Sequence, residues 1–111
     1  MNEGLDKGDI YQQLPMSLTG TLDDIFRRIS DLGFAATCNI IEGNYKLLTQ
    51  DHAQSTYFKR RNLKDSEITF SELKNMSAEF LYNKVRMLSD PYPNAYIKTA
   101  DGKKLIIKEL K

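Results

Sequence analysis

The stretch of residues 21–43 constrains this chain more than any other. Leu22, Ile25, Phe26, Ile29, Leu32, Ala36 and Ile40 recur at steps of three and four residues, which sets them on one face of an α-helix. Thr21 suits the N-cap, and Asp23 and Asp24 fall in the first turn, where the helix dipole favours acids. Arg27, Arg28 and Asp31 occupy the other face, and Gly43 supplies a stop. Gly33 lowers helix stability by about 1 kcal/mol relative to alanine, which predicts close packing at that point.

Shorter elements surround this helix. Residues 10–16, IYQQLPM, read as a strand, with Pro15 marking its end or an edge. Residues 45–51 read as a connection containing a short extended piece. Residues 55–61, STYFKRR, are β-prone in their first half, and Ile68, Thr69 and Phe70 form a further short extended element. Ser77 caps a second helix that reaches about Leu88, with Leu81, Val85 and Leu88 on one face. Asp90-Pro91-Tyr92-Pro93-Asn94 breaks it, since each proline disfavours helix in the residue before it. AYIKT and KLIIKEL are two strands joined around Asp101-Gly102, a strong hairpin signal. The expected fold class is α+β, divided near residue 50. Residues 1–50 carry a strand and the long helix, and residues 51–111 form a small β-barrel-like subdomain with one helix.

Composition narrows the function classes. A chain of 111 residues has room for one small domain or two subdomains sharing a core. Its 41% hydrophobic and 28% charged residues are those of a globular protein. A net charge of +1 gives no overall field pointing to nucleic acid or a membrane. No apolar run approaches the roughly 20 residues of a membrane span, and MNEGLDKGD lacks the regions of a signal peptide. Cys38 and His52 are each alone, which excludes an internal disulfide or a cysteine metal cluster. A zinc site would need further ligands beyond that pair, so no metal is expected. A reducing cytoplasm is the expected location.

Three stretches could carry chemistry. GLDKGDI, residues 4–10, sets Asp6 between Gly4 and Gly8, and a loop of this kind can place an aspartate at the mouth of a sheet. There Asp6 could orient a base or relay protons with water; it could equally be a polar turn before a strand. Lys59, Arg60 and Arg61 follow two aromatics and could hold a phosphate, or form a solvated strand end balanced by Asp65 and Glu67. The corner VRMLSDPYPNAYI reads as structural, because proline fixes φ. His52 in TQDHAQ reads as a surface loop residue and Cys38 as packing.

Taken in order, these stretches resemble the second half of an N10-formyltetrahydrofolate-dependent formyltransferase, a family that includes the methionyl-tRNA and sugar N-formyltransferases. GLDKGDI is similar to the family's "LDxGDI" loop, TLDDIFRRISDLG to the helix after it, STYFKRRNLKDSEITF to the segment entering the C-terminal subdomain, and SAEFLYNKVRMLSDPYPNAYI to its helix and "PxPGA" corner. YFKRR followed by KDSEI is closer to the sugar enzymes, whereas the methionyl-tRNA enzymes more often carry "TYAPK" there. Two departures stand out: Asn94 replaces the usual glycine, and Thr69-Phe70 replaces the frequent Asp-Trp.

The resemblance implies a remnant of a Rossmann-like catalytic domain over residues 1–50 and an OB-like C-terminal subdomain over residues 51–111. It makes Asp6 catalytic and Lys59, Arg60 and Arg61 candidate contacts to a phosphate or nucleotide. In the parent reaction an amine attacks the formyl carbon of N10-formyltetrahydrofolate. Negative charge develops on the formyl oxygen, and a proton must leave the amine. The family assigns this work to an asparagine and a histidine upstream of the "LDxGD" loop, with the aspartate supporting them. His52 lies after the loop and does not match that histidine.

Whether these residues act as an enzyme by themselves therefore stays open, and the expectation is an inactive isolated chain with no cofactor of its own. The expected partner of the complete enzyme is a nucleotide-linked amino sugar. The alternatives are initiator methionyl-tRNA and a non-catalytic binding module. Burying one large apolar side chain contributes roughly 1.5–3 kcal/mol. The apolar face of the long helix is thus expected to be covered by a second copy or a missing N-terminal half, or to be loosely ordered.

Overall fold

The computed structural model describes residues 6–111. Gly4 and Leu5 of GLDKGDI lie outside the described residues. The chain divides into two compact units, Met1–Phe58 and Lys59–Lys111.

The first unit is organised by α1, Leu22–Ile41. Its start is a capping box: Asp24 N donates to Thr21 Oγ1 at 3.2 Å, and Thr21 N donates back to Asp24 Oδ2 at 2.9 Å. The Thr21 N–H and the Thr21 hydroxyl, both donating to Oδ2, hold the Asp24 carboxyl below its ordinary range. Gly20 precedes the cap at φ 91°, and a Cβ there would lie 2.6 Å from Asp24 Oδ2, so the turn requires glycine. Arg28 reaches back from the helix, its Nη1 donating to Ser17 O at 3.1 Å and Thr19 O at 2.6 Å. The helix closes at Gly43, φ 77°, with Asn44 N on Asn39 O at 2.8 Å and Gly43 N on Ile40 O at 3.1 Å. This is the paired arrangement that satisfies the last carbonyls of a helix.

The periodic face of α1 is fully buried only at its start. Leu22 and Ile25 are buried, and Leu32 and Ala36 are half-buried. Phe26, Ile29 and Ile40 remain exposed within this chain. Phe34 and Ile41, seven residues apart on an adjoining face, are 74% and 79% exposed. The strand expected over residues 10–16 reduces to one antiparallel bridge, Ile10 with Leu48, through bonds of 2.8 and 2.9 Å. Beyond Ile10 the chain leaves the bridge without further pairing. The rings of Tyr11 and Tyr45 pack beside it, 5.1 Å apart.

The second unit builds its core on one helix and a hairpin. A 3-10 turn, Leu63–Ser66, is capped by Asn62. After it, Glu67 bridges to Tyr96 in parallel, and Ile68 N donates to Tyr96 O at 2.8 Å. The extended piece ends there, because Thr69 caps α2, Phe70–Asn75, in a capping box with Glu72. Phe70, expected to be extended, is instead the first helical residue. Ser77 caps α3, Ala78–Arg86, which stops just short of the expected Leu88. Strands β1, Ala95–Lys98, and β2, Lys104–Ile107, pair antiparallel in the register Ala95–Ile107 to Lys98–Lys104. Gly102 at φ 79° completes their turn.

Ile68, Val85, Leu88 and Ala95 form the core of this unit, with Leu81, Ile97 and Ile107 packed against it. Ala95 is fully buried and Val85 is 1% exposed. The sheet has two strands. The additional strands that a β-barrel of the expected kind requires are not present among the described residues.

The corner between α3 and β1 contains a cis peptide, Asp90–Pro91. Asn94 does not occupy the left-handed region there, and its side-chain amide donates to Asp90 Oδ1 at 3.1 Å and Tyr92 O at 3.2 Å. The glycine of the "PxPGA" motif that this corner resembles is thus not demanded by the backbone at this position. Thr69 likewise keeps the capping role that aspartate would serve, since both side chains accept from the helix N-terminus.

Candidate functional site

The candidate centre is the loop at Asp6. This residue is held at φ 56°, the one non-glycine in the left-handed region among the described residues. Such a conformation costs roughly 1 kcal/mol or more for a residue with a Cβ, and asparagine and aspartate tolerate it best. Asp6, Lys7, Gly8 and Asp9 are exposed, and Ile10 is half-buried where it meets Leu48.

Two residues past that bridge, Gln50 is half-buried. Its Nε2 donates to Asp6 O at 3.1 Å and to Gly8 O at 2.6 Å. The backbone pairing and this side-chain amide together fix residues 6–10 against residues 48–50. Gln50 was missed by sequence reasoning, which picked only His52 from TQDHAQ. Nothing in residue type or spacing separates this glutamine from a surface one.

His52 sits on a 3-10 turn, His52–Gln54, and is exposed. Asp51 caps that turn, accepting from Ala53 N at 3.0 Å, and its second oxygen accepts from Gln54 Nε2 at 2.8 Å. Cys38 is half-buried on α1. Among the described residues no three His, Cys, Asp or Glu side chains gather where they could hold a metal ion.

The basic run lies in an irregular, exposed stretch. Tyr57 and Phe58 are 90% and 86% exposed, and Lys59, Arg60 and Arg61 follow them, also exposed. Arg61 Nη2 donates to Asp65 O at 2.8 Å, which leans its guanidinium onto the Leu63–Ser66 turn. The structure describes this run and the Asp6 loop on separate units.

A second charged cluster was not foreseen. Lys84 Nζ donates to Glu67 O at 2.6 Å and to Glu72 Oε1 at 2.7 Å. Lys98 Nζ lies 2.8 Å from Glu67 Oε2, a contact that raises the pKa of Lys98. Lys104 stands over the Tyr96 ring, 4.2 Å from its centre. These contacts tie the Glu67 segment, both short helices and the hairpin together, so their role is structural.

Comparison with known proteins places this arrangement in context. No known family profile matches the chain. The methionyl-tRNA formyltransferase of Acidiphilium cryptum (strain JF-5) is 29% identical over 109 residues, covering 96% of this chain and 34% of that protein. The solved structure of methionyl-tRNA formyltransferase from Clostridium thermocellum superposes with a TM-score of 0.75 at 27% identity, over 96% of this chain and 51% of that one. A 4-N formyltransferase from Francisella tularensis superposes with a TM-score of 0.69 at 18% identity, over all of this chain and 48% of that one, a likeness of fold. The chain thus spans about a third of the curated relative it matches and about half of the solved ones. No helix among the described residues is long and apolar enough to cross a membrane.

Proposed function

We propose that this chain, a homologue of the formyltransferases, supplies the later part of an enzyme that moves a formyl group from N10-formyltetrahydrofolate to a primary amine. The observation that carries the reading is the Asp6 loop. An aspartate in the family's loop motif stands in a left-handed conformation, on a loop tied down by two backbone bonds at Ile10–Leu48 and two side-chain bonds from Gln50.

In this reading Asp6 is the catalytic carboxylate, and its task is supportive. It accepts a hydrogen bond from the family's histidine or from a water, and so holds the group that removes the amine proton. His52, the one histidine of the chain, is exposed on a turn and does not take that part. Residues 6–9 are exposed and form no apolar wall against which a pterin ring could stack, so folate binding is assigned to the rest of the enzyme. The 111 residues alone are therefore inactive in this proposal.

For the acceptor, methionyl-tRNA is our first reading, because the Acidiphilium cryptum and Clostridium thermocellum relatives, at 29% and 27% identity, carry that activity in their names. The exposed Tyr57 and Phe58 beside Lys59, Arg60 and Arg61 suit stacking on a base and pairing with phosphates. The same surface suits a nucleotide-linked amino sugar, the second reading, which the YFKRR and KDSEI segments favour.

The test joins this chain to the portion of the Clostridium thermocellum relative that it does not match. Formyl transfer to methionyl-tRNA and to an amino-sugar nucleotide is then measured by mass spectrometry. Activity of the fusion, its loss in Asp6→Asn, and silence of the isolated chain are expected. Formylation by the isolated chain, or full activity of the Asp6→Asn fusion, overturns the proposal.

A further inference from the structure

We infer that Gln50 is a positioning residue for the Asp6 loop. The geometry carries this. One side-chain nitrogen, with two N–H groups, meets two carbonyls on the same loop, at 3.1 Å on Asp6 and 2.6 Å on Gly8. A primary amide has the right count of donors, one for each carbonyl. The backbone pairing of Ile10 with Leu48 sets the register that brings Gln50 beneath the loop. Gln50 is half-buried, while the two carbonyls it meets belong to exposed residues.

The two bonds orient the peptide plane that follows Asp6 and the one that follows Gly8. The first of these restricts ψ of Asp6, the residue that stands at φ 56°. Other side chains do this poorly. Glutamate offers no donor when ionised, asparagine is one methylene shorter, and alanine leaves both carbonyls to solvent. The link from Gln50 to chemistry rests on the proposed catalytic role of Asp6; the clamp itself does not.

The test uses the 111-residue chain in solution. Backbone carbonyl carbon shifts of Asp6 and Gly8 are recorded by NMR for the natural chain, Gln50→Ala and Gln50→Glu. Amide exchange at Ile10 and Leu48 reports whether the neighbouring bridge survives. In Gln50→Ala both carbonyl shifts are expected to move towards solvated values while the Ile10 and Leu48 amides stay protected.

In Gln50→Glu the same loss is expected near neutral pH. One carbonyl should recover its shift as the pH falls below about 4.3, where a protonated carboxyl regains a single O–H donor. A merely space-filling role would show no such recovery. Unchanged Asp6 and Gly8 shifts in Gln50→Ala, or a Gln50→Glu variant without the low-pH recovery, overturn the inference. Neither readout depends on formyl transfer, so an inactive fusion would count against the proposed function and not against the clamp.

Discussion

Lys84 on α3 donates to the carboxylate of Glu72 on α2 at 2.7 Å, and that carboxylate also accepts the backbone N–H of Thr69 at 2.8 Å. One acid therefore completes the N-terminal cap of one helix and joins that helix to its neighbour. The Lys84 hydrogen bond, followed by the Thr69 backbone bond, holds the Glu72 carboxyl below its ordinary value of 4.5. A depressed carboxylate stabilises the folded state fully above the unfolded value and loses that contribution as the pH falls through the folded one. The melting temperature of the second unit should thus decline as the pH drops below about 4.5. Glu72→Gln should flatten the decline, read by dichroism from pH 7 to pH 3. An unchanged acid limb in the variant would remove Glu72 from the account.

Val85 is the most deeply buried large side chain of the core it shares with Ile68, Leu88 and Ala95. Val85→Ala removes two methyl groups and leaves a cavity that a four-residue core cannot readily close. A destabilisation of about 1.5–3 kcal/mol is expected in urea unfolding. A cost below about 0.5 kcal/mol would mean that the site collapses or is not closely packed.

Phe34 and Ile41 stand 74% and 79% exposed on α1, which also carries the exposed Phe26. Apolar surface gathered this way binds hydrophobic dyes. The chain should enhance the fluorescence of anilinonaphthalene sulfonate, and the double variant Phe34→Ser, Ile41→Ser should reduce it by at least half. Absence of dye binding by the natural chain would show that this face is covered in solution.

The basic run makes a prediction with two readouts. Lys59 and Arg60 are exposed, so their replacement by alanine should shift stability by no more than about 0.5 kcal/mol. Arg61 donates to Asp65 O, so Arg61→Ala should cost slightly more. If the run contacts phosphates, each change weakens tRNA binding and lowers its salt dependence. Gel shifts at two salt concentrations measure this, and binding indifferent to all three replacements would end the tRNA assignment of this surface.

Much of the architecture was legible in local signals. The α1 periodicity with Thr21 and Gly43 at its ends marks a helix whose termini satisfy themselves, so no distant contact is needed to define it. The Asp101-Gly102 hairpin is local in the same way. Residues 10–16 misled because an apolar run reads as a strand whether or not a partner strand is present, and only Ile10 finds one. Phe70 misled for a different reason. Its aromatic ring favours strands, but the Thr69–Glu72 capping box turns the chain into a helix. In the candidate site, the flanking glycines and loop motif single out Asp6, and that residue stands at φ 56°. Gln50 was not legible, because its two bonds join residues more than forty positions apart and leave no trace in spacing.

The Ile10–Leu48 bridge closes a ring of roughly 40 residues, at an entropic cost of about 3 kcal/mol. Its two backbone hydrogen bonds contribute roughly 1 kcal/mol each. The Tyr11–Tyr45 contact adds about 1 kcal/mol. Closure is therefore near balance unless α1 has already shortened the span of free chain between the two ends. The left-handed turn at Asp6 lies at one end of that ring and should lose its order when the ring opens. Anything that frays α1, even far from the loop, should loosen the candidate catalytic aspartate before the rest of the unit unfolds.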